Sequence, residues 1–313
     1  MKQDLTIIMY HYIRDFELTR NRGIRGLSTG GFRRQLDYLQ NHYEIITMEQ
    51  VVSAYRSKES LPNNAALLTF DDAYIEHYTI VFPELHRRGL QGSFFAPADP
   101  VLDSVLLDVN RLHFILAATL GNPELVSAHL DTAIREAKQE WGLDDVDAYR
   151  RDWAKPNRWD DAETIYIKRM LQLALPEDFR NQIAKKLFAT FVTEDESAFA
   201  TELYLREDQA RLMQSCGMYF GSHGASHYWL DQIPEQKKRQ DITRSLDFLN
   251  RIGSPVNDFW VMCYPYGAWD SETLRILEQY NCTFGLTTEV ATANISSNNP
   301  LTLPRYDTND FPQ

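Results

Sequence analysis

The chain is short of cysteine, and the three it has are badly placed for cross-linking. Cys216, Cys263 and Cys282 form an odd set without C-x-x-C spacing, which argues against a disulfide framework and reads as reduced thiols. Net positive charge is also lacking: 32 Lys and Arg against 44 Asp and Glu leave a formal charge of -12. A protein that grips a phosphate backbone needs a basic footprint, so no nucleic-acid partner is expected. No apolar run is long enough to span a bilayer. The opening residues, MKQDLTIIMYHYIRD, carry Asp4 and lack the apolar core of a secretory leader, so a cytoplasmic location is expected. Internal repeats are absent, and no histidine follows His227.

What is present suits a packed α/β protein. Hydrophobic residues make up 43% of 313 positions, enough for a sizeable core. Residues 5–13, LTIIMYHYI, read as a first strand, and Phe32, Leu36 and Leu39 recur at helical spacing after Gly30 and Gly31. The alternation continues through YEIIT, MEQVVSAYRS, AALLTF, TIVFPELHRRG and GSFFAPA. Strands alternating with helices imply a parallel sheet, open or closed into a barrel. From about 101 to 200 only helical patterns appear. Asn122 and Pro123 read as an N-cap and first helical residue. Apolar stripes at Val126, Leu130, Ala133, Ile134, Ala137 and Trp141, and at Phe179, Ile183, Leu187, Phe188 and Phe191, read as core packing. The strand–helix rhythm then resumes to near the C-terminus.

Two motifs carry candidate chemistry. LLTFDDAY ends an apolar strand with adjacent carboxylates, Asp71 and Asp72. Burying either one unpaired is costly, so a nearby cation is expected. GSHGASH places His223 and His227 four residues apart after another strand. Two imidazoles and a carboxylate suit a divalent ion with open coordination positions. Strand ends are where parallel α/β folds bind ligands. The two aspartates diverge in extended chain, so one can ligate while the other serves as a base.

Taken in order, LLTFDDAY, GSHGASH and CYPYGAWD resemble the polysaccharide deacetylases of the NodB-homology type, carbohydrate esterase family 4. The resemblance implies an α/β fold, a distorted (β/α)7-type barrel, over 1–98 and 203–313, with residues 99–202 as a helical insertion. It implies an enzyme that uses one divalent metal ion, zinc being expected, to remove N- or O-acetyl groups from sugars. Asp71 would then be the catalytic base, and Asp72, His223 and His227 the metal ligands. Tyr266 would supply a backbone N–H to the oxyanion, while Thr69 and Ser222 would be structural.

Three departures accompany the resemblance. Ala73 stands where glycine usually follows the aspartate pair. Cys263 stands where an arginine often orients the base, so Asp71 is expected to lack that partner. The C-terminal histidine that serves as general acid is missing; the tail offers Arg305 and Asp307. His11, at the end of the first strand, is the replacement candidate, as proton donor or substrate contact. A phosphate could be met by Arg305, Arg14 or the segment RNRGIRG, 20–26. The expected function is removal of an acetyl group from an amino sugar, on a nucleotide- or lipid-linked cytoplasmic precursor of a surface glycan. A deformylase or other amidohydrolase, and a non-catalytic sugar-binding protein, are the alternatives. The helical insertion is read as a lid or as a homo-oligomer surface.

Overall fold

A computed structural model describes residues 3–157 and 160–313. Packing divides the chain into two units: Met1–Asp15, Gly26–Val105 and Thr201–Gln313 form the first, and Phe16–Arg25 with Leu106–Ala200 the second.

The first unit is a strand–helix alternation. It runs β1 (Asp4–Tyr10), α1 (Thr29–His42), β2 (Glu44–Ile45), α2 (Met48–Ser57), β3 (Ala65–Asp71), α3 (Phe82–Arg88), β4 (Ser93–Ala96) and α4 (Ala98–Asp103). In the second unit come α5 (Asp108–Ala118), α6 (Pro123–Trp141), α7 (Val146–Trp153), α8 (Ala162–Arg169) and α9 (Glu177–Phe191), after which α10 (Glu196–Leu203) leads back. The first unit resumes with α11 (Glu207–Ser215), β5 (Tyr219–Ser222), α12 (Glu235–Ile252), β6 (Val261–Cys263), α13 (Ser271–Gln279), β7 (Phe284–Leu286), β8 (Ala293–Asn294) and β9 (Tyr306–Asp307).

The strands join in the order β7-β6-β5-β4-β3-β1-β8, with β2 also on β3 and β9 on β1. Every pairing along β7-β6-β5-β4-β3-β1 is parallel, and β3 is buried along its whole length, as its continuous apolar run requires. The sheet curls, and its two ends approach through the C-terminal segment. Thr287 N donates to the Leu303 carbonyl at 2.9 Å, Arg305 N donates to the Glu289 carbonyl at 2.9 Å, and β9 pairs with β1 at Ile8–Tyr306. Residues 303–307 thus fill the seam between β7 and β1, giving the expected α/β barrel of distorted, incompletely closed form.

One side of the sheet packs on helices through Ile8, Tyr10, Leu68, Phe70, Phe94 and Phe220 with Phe32, Leu36 and Phe248. The other side is filled by Leu5, Ile7, Leu67, Phe95, Val261, Phe284 and Leu303. Alternation along β1 and β3 sends successive side chains to opposite faces.

In the second unit all the regular elements among the described residues are helical. Val126, Leu130 and Ile134 of α6 and Phe179, Ile183, Leu187 and Phe188 of α9 are buried, whereas Ala133, Ala137, Trp141 and Phe191 are only partly so. Asn122 sits at the N-cap of α6 but makes no capping hydrogen bond through its side chain; Pro123 occupies the first turn. Arg150 bridges Asp131 and Glu163, and the Tyr166 hydroxyl donates to Asp131 at 2.7 Å. The segment 16–25 also belongs here. Gly23 lies so close to the Ala117 backbone that a Cβ would collide with it, and Arg25 pairs with Asp160 at 3.3 Å. The basic stretch 20–26 is therefore in part tied to the helical unit. No helix among the described residues is long and apolar enough to cross a membrane.

The barrel seam has a sharp steric requirement. A Cβ at Gly285 would overlap the Leu301 carbonyl and the Tyr264 hydroxyl, and that backbone cannot retreat without opening the seam. Gly285→Ala is expected to destabilise the protein by about 1–3 kcal/mol, read as a lower urea midpoint. An unchanged midpoint would contradict the seam as described.

Candidate active site

Parallel register carries the motifs to one rim. Asp71 pairs with Phe95, Ala96 with Ser222, Ser222 with Met262, and Cys263 with Leu286. The carboxyl ends of β1, β3, β5 and β6 thereby deliver His11, Asp71 and Asp72, His223 and His227, and Cys263 to Tyr266 to the same neighbourhood.

The two aspartates part immediately. Asp71 is the last residue of β3, whereas Asp72 and Ala73 both have positive φ, 77° and 57°. This left-handed turn swings Asp72 out of the strand direction. It is held by Asp72 N donating to Phe95 O at 3.1 Å and Leu205 N donating to Ala73 O at 2.9 Å. Glycine is the default residue for such backbone, and alanine bears a cost of about 1–2 kcal/mol there. The Ala73 departure is thus strained, not merely a change of side chain.

Asp72 faces the histidines. Its Oδ1 lies 3.3 Å from Nε2 of both His223 and His227. Candidate ligand atoms of the three residues all fall within 4.8 Å of one another, and all three side chains are buried. The His223 Nδ1 is 2.7 Å from the Cys263 carbonyl, which can only accept, so that nitrogen carries a proton and Nε2 is the atom turned to Asp72. The buried Asp72 Oδ1 has no hydrogen-bond partner among the described residues. A buried orphan oxygen flanked by two imidazole nitrogens fits a divalent cation, and the one-carboxylate, two-histidine donor set suits zinc. Burial alone would raise the Asp72 pKa, but the two imidazoles outweigh it and hold the carboxyl well below its usual range.

Asp71 has a different partner. Arg305 is fully buried and grips it with both arms: Nη2 to Oδ2 at 2.9 Å and Nη1 to Oδ1 at 3.1 Å. Its Nε donates to the Thr287 carbonyl at 2.9 Å, and Nη1 also reaches Thr69 Oγ1 at 3.1 Å. Burial pushes the Asp71 pKa up, but the guanidinium reverses this and leaves it below the ordinary value. The expectation that Asp71 lacks an arginine is corrected: Cys263 does occupy that place in β6, with Sγ 3.3 Å from Asp71 Oδ2, but the cation arrives from the C-terminal seam. Arg305 is correspondingly not free to meet a phosphate. Arg14 is likewise engaged, paired with Glu76 at 2.8 Å. A second cluster, Asp71, His223 and Cys263, also has close ligand atoms, but Arg305 already neutralises its carboxylate.

The remaining candidates border these two. His11 Nε2 lies 3.9 Å from Asp71 Oδ2, and its side chain is 38% exposed where Asp71 is 2%. The His11 carbonyl accepts from His77 Nε2 at 3.0 Å, so the buried His77 anchors the end of β1. Tyr266 has φ 58°, and its ring stacks on Trp229 at 4.2 Å and meets His227 edge-on at 4.6 Å. Thr69 and Ser222 are structural in their contacts: Thr69 donates to Ile8 O at 2.8 Å, and Ser222 Oγ lies 2.8 Å from Ser245 Oγ. Asp241 accepts from Ser226 N at 2.9 Å beneath the histidine loop, and burial raises its pKa to about 6.

Comparison with known proteins bears on the fold. Residues 183–285, which contain His223, His227 and Tyr266, match the family model described as polysaccharide deacetylase. The Streptococcus pyogenes deacetylase PplD, solved in complex with acetate, superposes with a TM-score of 0.61 over 98% of this chain and 93% of its own, at 16% identity. The fold is that of the polysaccharide deacetylases. IcaB from Ammonifex degensii gives a TM-score of 0.55 over 97% of this chain and 91% of its own, at 17% identity. In sequence, the poly-beta-1,6-N-acetyl-D-glucosamine N-deacetylase of Escherichia coli K12 is 37% identical over 79 residues. That match spans 25% of this chain and only 12% of the relative.

The strained turn makes a test of its own. Relief of left-handed strain in Ala73→Gly is offset by glycine's larger unfolded-state entropy, so its urea midpoint should stay within about 1 kcal/mol of the parent. Ala73→Val, which puts a β-branched residue at positive φ, should lose at least about 2 kcal/mol. Equal losses in the two variants would contradict the turn.

Proposed function

We propose that the protein is a metal-dependent hydrolase that removes the acetyl group from an N-acetylated amino sugar. The observation that carries this reading is the pairing of two adjacent buried carboxylates with opposite surroundings: Asp72 among imidazoles, Asp71 clamped by Arg305. Asp72, His223 and His227 would hold the ion, zinc in the first instance. When bound, it supplies a Lewis acid that polarises the amide carbonyl and acidifies water.

The chain's own groups then have distinct tasks. Asp71, kept ionised and oriented by Arg305, takes a proton from the attacking water. The Tyr266 backbone N–H donates to the carbonyl oxygen as it becomes negative. His11, reached from solvent, gives a proton to the departing nitrogen. A C–O bond forms, the C–N bond breaks, and acetate and a free amine result. The Trp229–Tyr266 stack borders the metal-ligand cluster, where a sugar ring has an aromatic neighbour.

Support for an N-acetylglucosamine glycan comes from the name of the Escherichia coli relative. A nucleotide- or lipid-linked cytoplasmic precursor is the competing carrier, and a formyl amide the competing acyl group. We further read 99–202 as an insertion within the deacetylase barrel.

Zinc loading followed by desalting and elemental analysis should leave one ion per chain in the parent and none in His227→Ala. Zinc absent from a folded parent would sink the metal assignment. Acetate release from N-acetylglucosamine oligomers should exceed release from a nucleotide-linked sugar, and formate instead of acetate would replace the acyl assignment. Asp71→Asn should lose turnover while keeping its ion; absence of turnover in the zinc-loaded parent on every such substrate would favour a binding protein. Arg305→Lys keeps the charge but loses the two-armed grip. Misplacement of the base should lower kcat/KM roughly 100-fold with metal content unchanged; parental kcat/KM would remove Arg305 from the mechanism.

A further inference from the structure

The second oxygen of Asp72 is already taken. The Tyr74 hydroxyl, buried and only two residues along, donates to Asp72 Oδ2 at 2.8 Å, while Oδ1 alone faces His223 and His227. The two-residue spacing would separate these side chains in a strand; the left-handed turn at Asp72 and Ala73 folds them together. The phenol ring has two near-parallel aromatic neighbours. Tyr12 stacks on its ring at a centroid distance of 3.9 Å with an interplanar angle of 17°, and Tyr204 lies parallel to it at 6.4 Å and 12°. A backbone bridge between Tyr74 and Tyr204 fixes the main chain as well.

We propose that Tyr74 is a positioning residue that reserves Asp72 Oδ2 and so presents Asp72 to the metal through Oδ1 alone. This rests on the metal reading of the Asp72–His223–His227 cluster. A carboxylate free to rotate can bind through either oxygen or both. One locked by a donor 2.8 Å away has a single lone-pair direction toward the ion and leaves more of the coordination sphere open. Partners of this kind, hydrogen-bonded to a ligand and not to the metal, typically change affinity by about 10–100-fold when removed. Phenylalanine keeps the ring's stacking on Tyr12 and deletes the hydroxyl, with it the bond to Asp72 and the hydroxyl's interaction with Tyr12.

The test is cobalt binding to apo protein, read as a dissociation constant by chelator competition and as the visible absorption of the bound ion. Tyr74→Phe is expected to weaken affinity by about 10–100-fold and to lower the visible absorption, as a second carboxylate oxygen joins the cobalt. Parental affinity and spectrum in Tyr74→Phe would overturn the role of Tyr74 while leaving the metal site standing. Absence of cobalt from the folded parent would overturn the metal reading and this inference with it. Should Tyr74→Phe fail to fold, zinc X-ray absorption on the unsubstituted protein decides the point: a carboxylate bound through one oxygen supports the proposal, and a chelating carboxylate overturns it.

Discussion

Two aspartates in succession are buried at the end of one strand, and the site's architecture follows from giving each its own counter-group. Side by side with no compensation, one of them would take up a proton. The fold prevents this by splitting their surroundings. Asp71 stays in line with β3 and meets Arg305, while Asp72 is turned out of line and meets two imidazoles and a phenol. Breaking a buried pair such as Asp71–Arg305 typically costs about 3–5 kcal/mol, so the C-terminal segment that carries Arg305 is bound into the barrel as much by charge as by its seam hydrogen bonds. Closure of the sheet and ionisation of the base therefore depend on the same contact.

The separation of the aspartates carries a backbone cost. Asp72, Ala73, His227 and Tyr266 all have positive φ, and none is glycine. Each such residue costs of the order of 1–3 kcal/mol unless its surroundings determine it. For three of them the surroundings are visible: strand-end hydrogen bonds hold Asp72 and Ala73, and the Trp229 stack holds Tyr266. Three of the six candidate site residues, Asp72, His227 and Tyr266, thus share a left-handed backbone, Asp72 directly after β3 and the other two in the loops that follow β5 and β6.

The parts of the site legible in the sequence were those whose partners lie close along the chain or at the ends of recognisable strands. Adjacent aspartates and the H-x-x-x-H spacing announce themselves, and the apolar runs before them say that they end strands. The pairing of Arg305 with Asp71 was invisible by the same logic. The arginine's partner is 234 positions away, it lies just before a strand only two residues long, and nothing in LPRYD marks an arginine as buried. Only closure of the sheet brings it inward. Cys263 therefore looked like the loss of a function that had moved to the C-terminal segment. Tyr74 was hidden for a different reason: extended backbone separates i from i+2 along one face by nearly 7 Å, and only the left-handed turn turns neighbours in sequence into hydrogen-bond partners. The membership of 16–25 in the helical unit had no periodic signal at all, since that segment packs without regular structure.

His11 completes the argument about proton movement. Asp71 is almost wholly buried and its carboxylate is occupied by Arg305 and Cys263, so a proton that reaches it has few exits. His11 is the partly exposed titratable group beside it, 3.9 Å from Oδ2. Its position is secured through its backbone, by His77, which leaves the ring free of that duty. In the proposed hydrolysis the base is made rigid by a fixed cation, and the proton donor is left with access to solvent. That division of labour lets the site do without a histidine near the C-terminus: the C-terminal segment supplies Arg305, and the end of β1, on the other side of the same seam, supplies the imidazole.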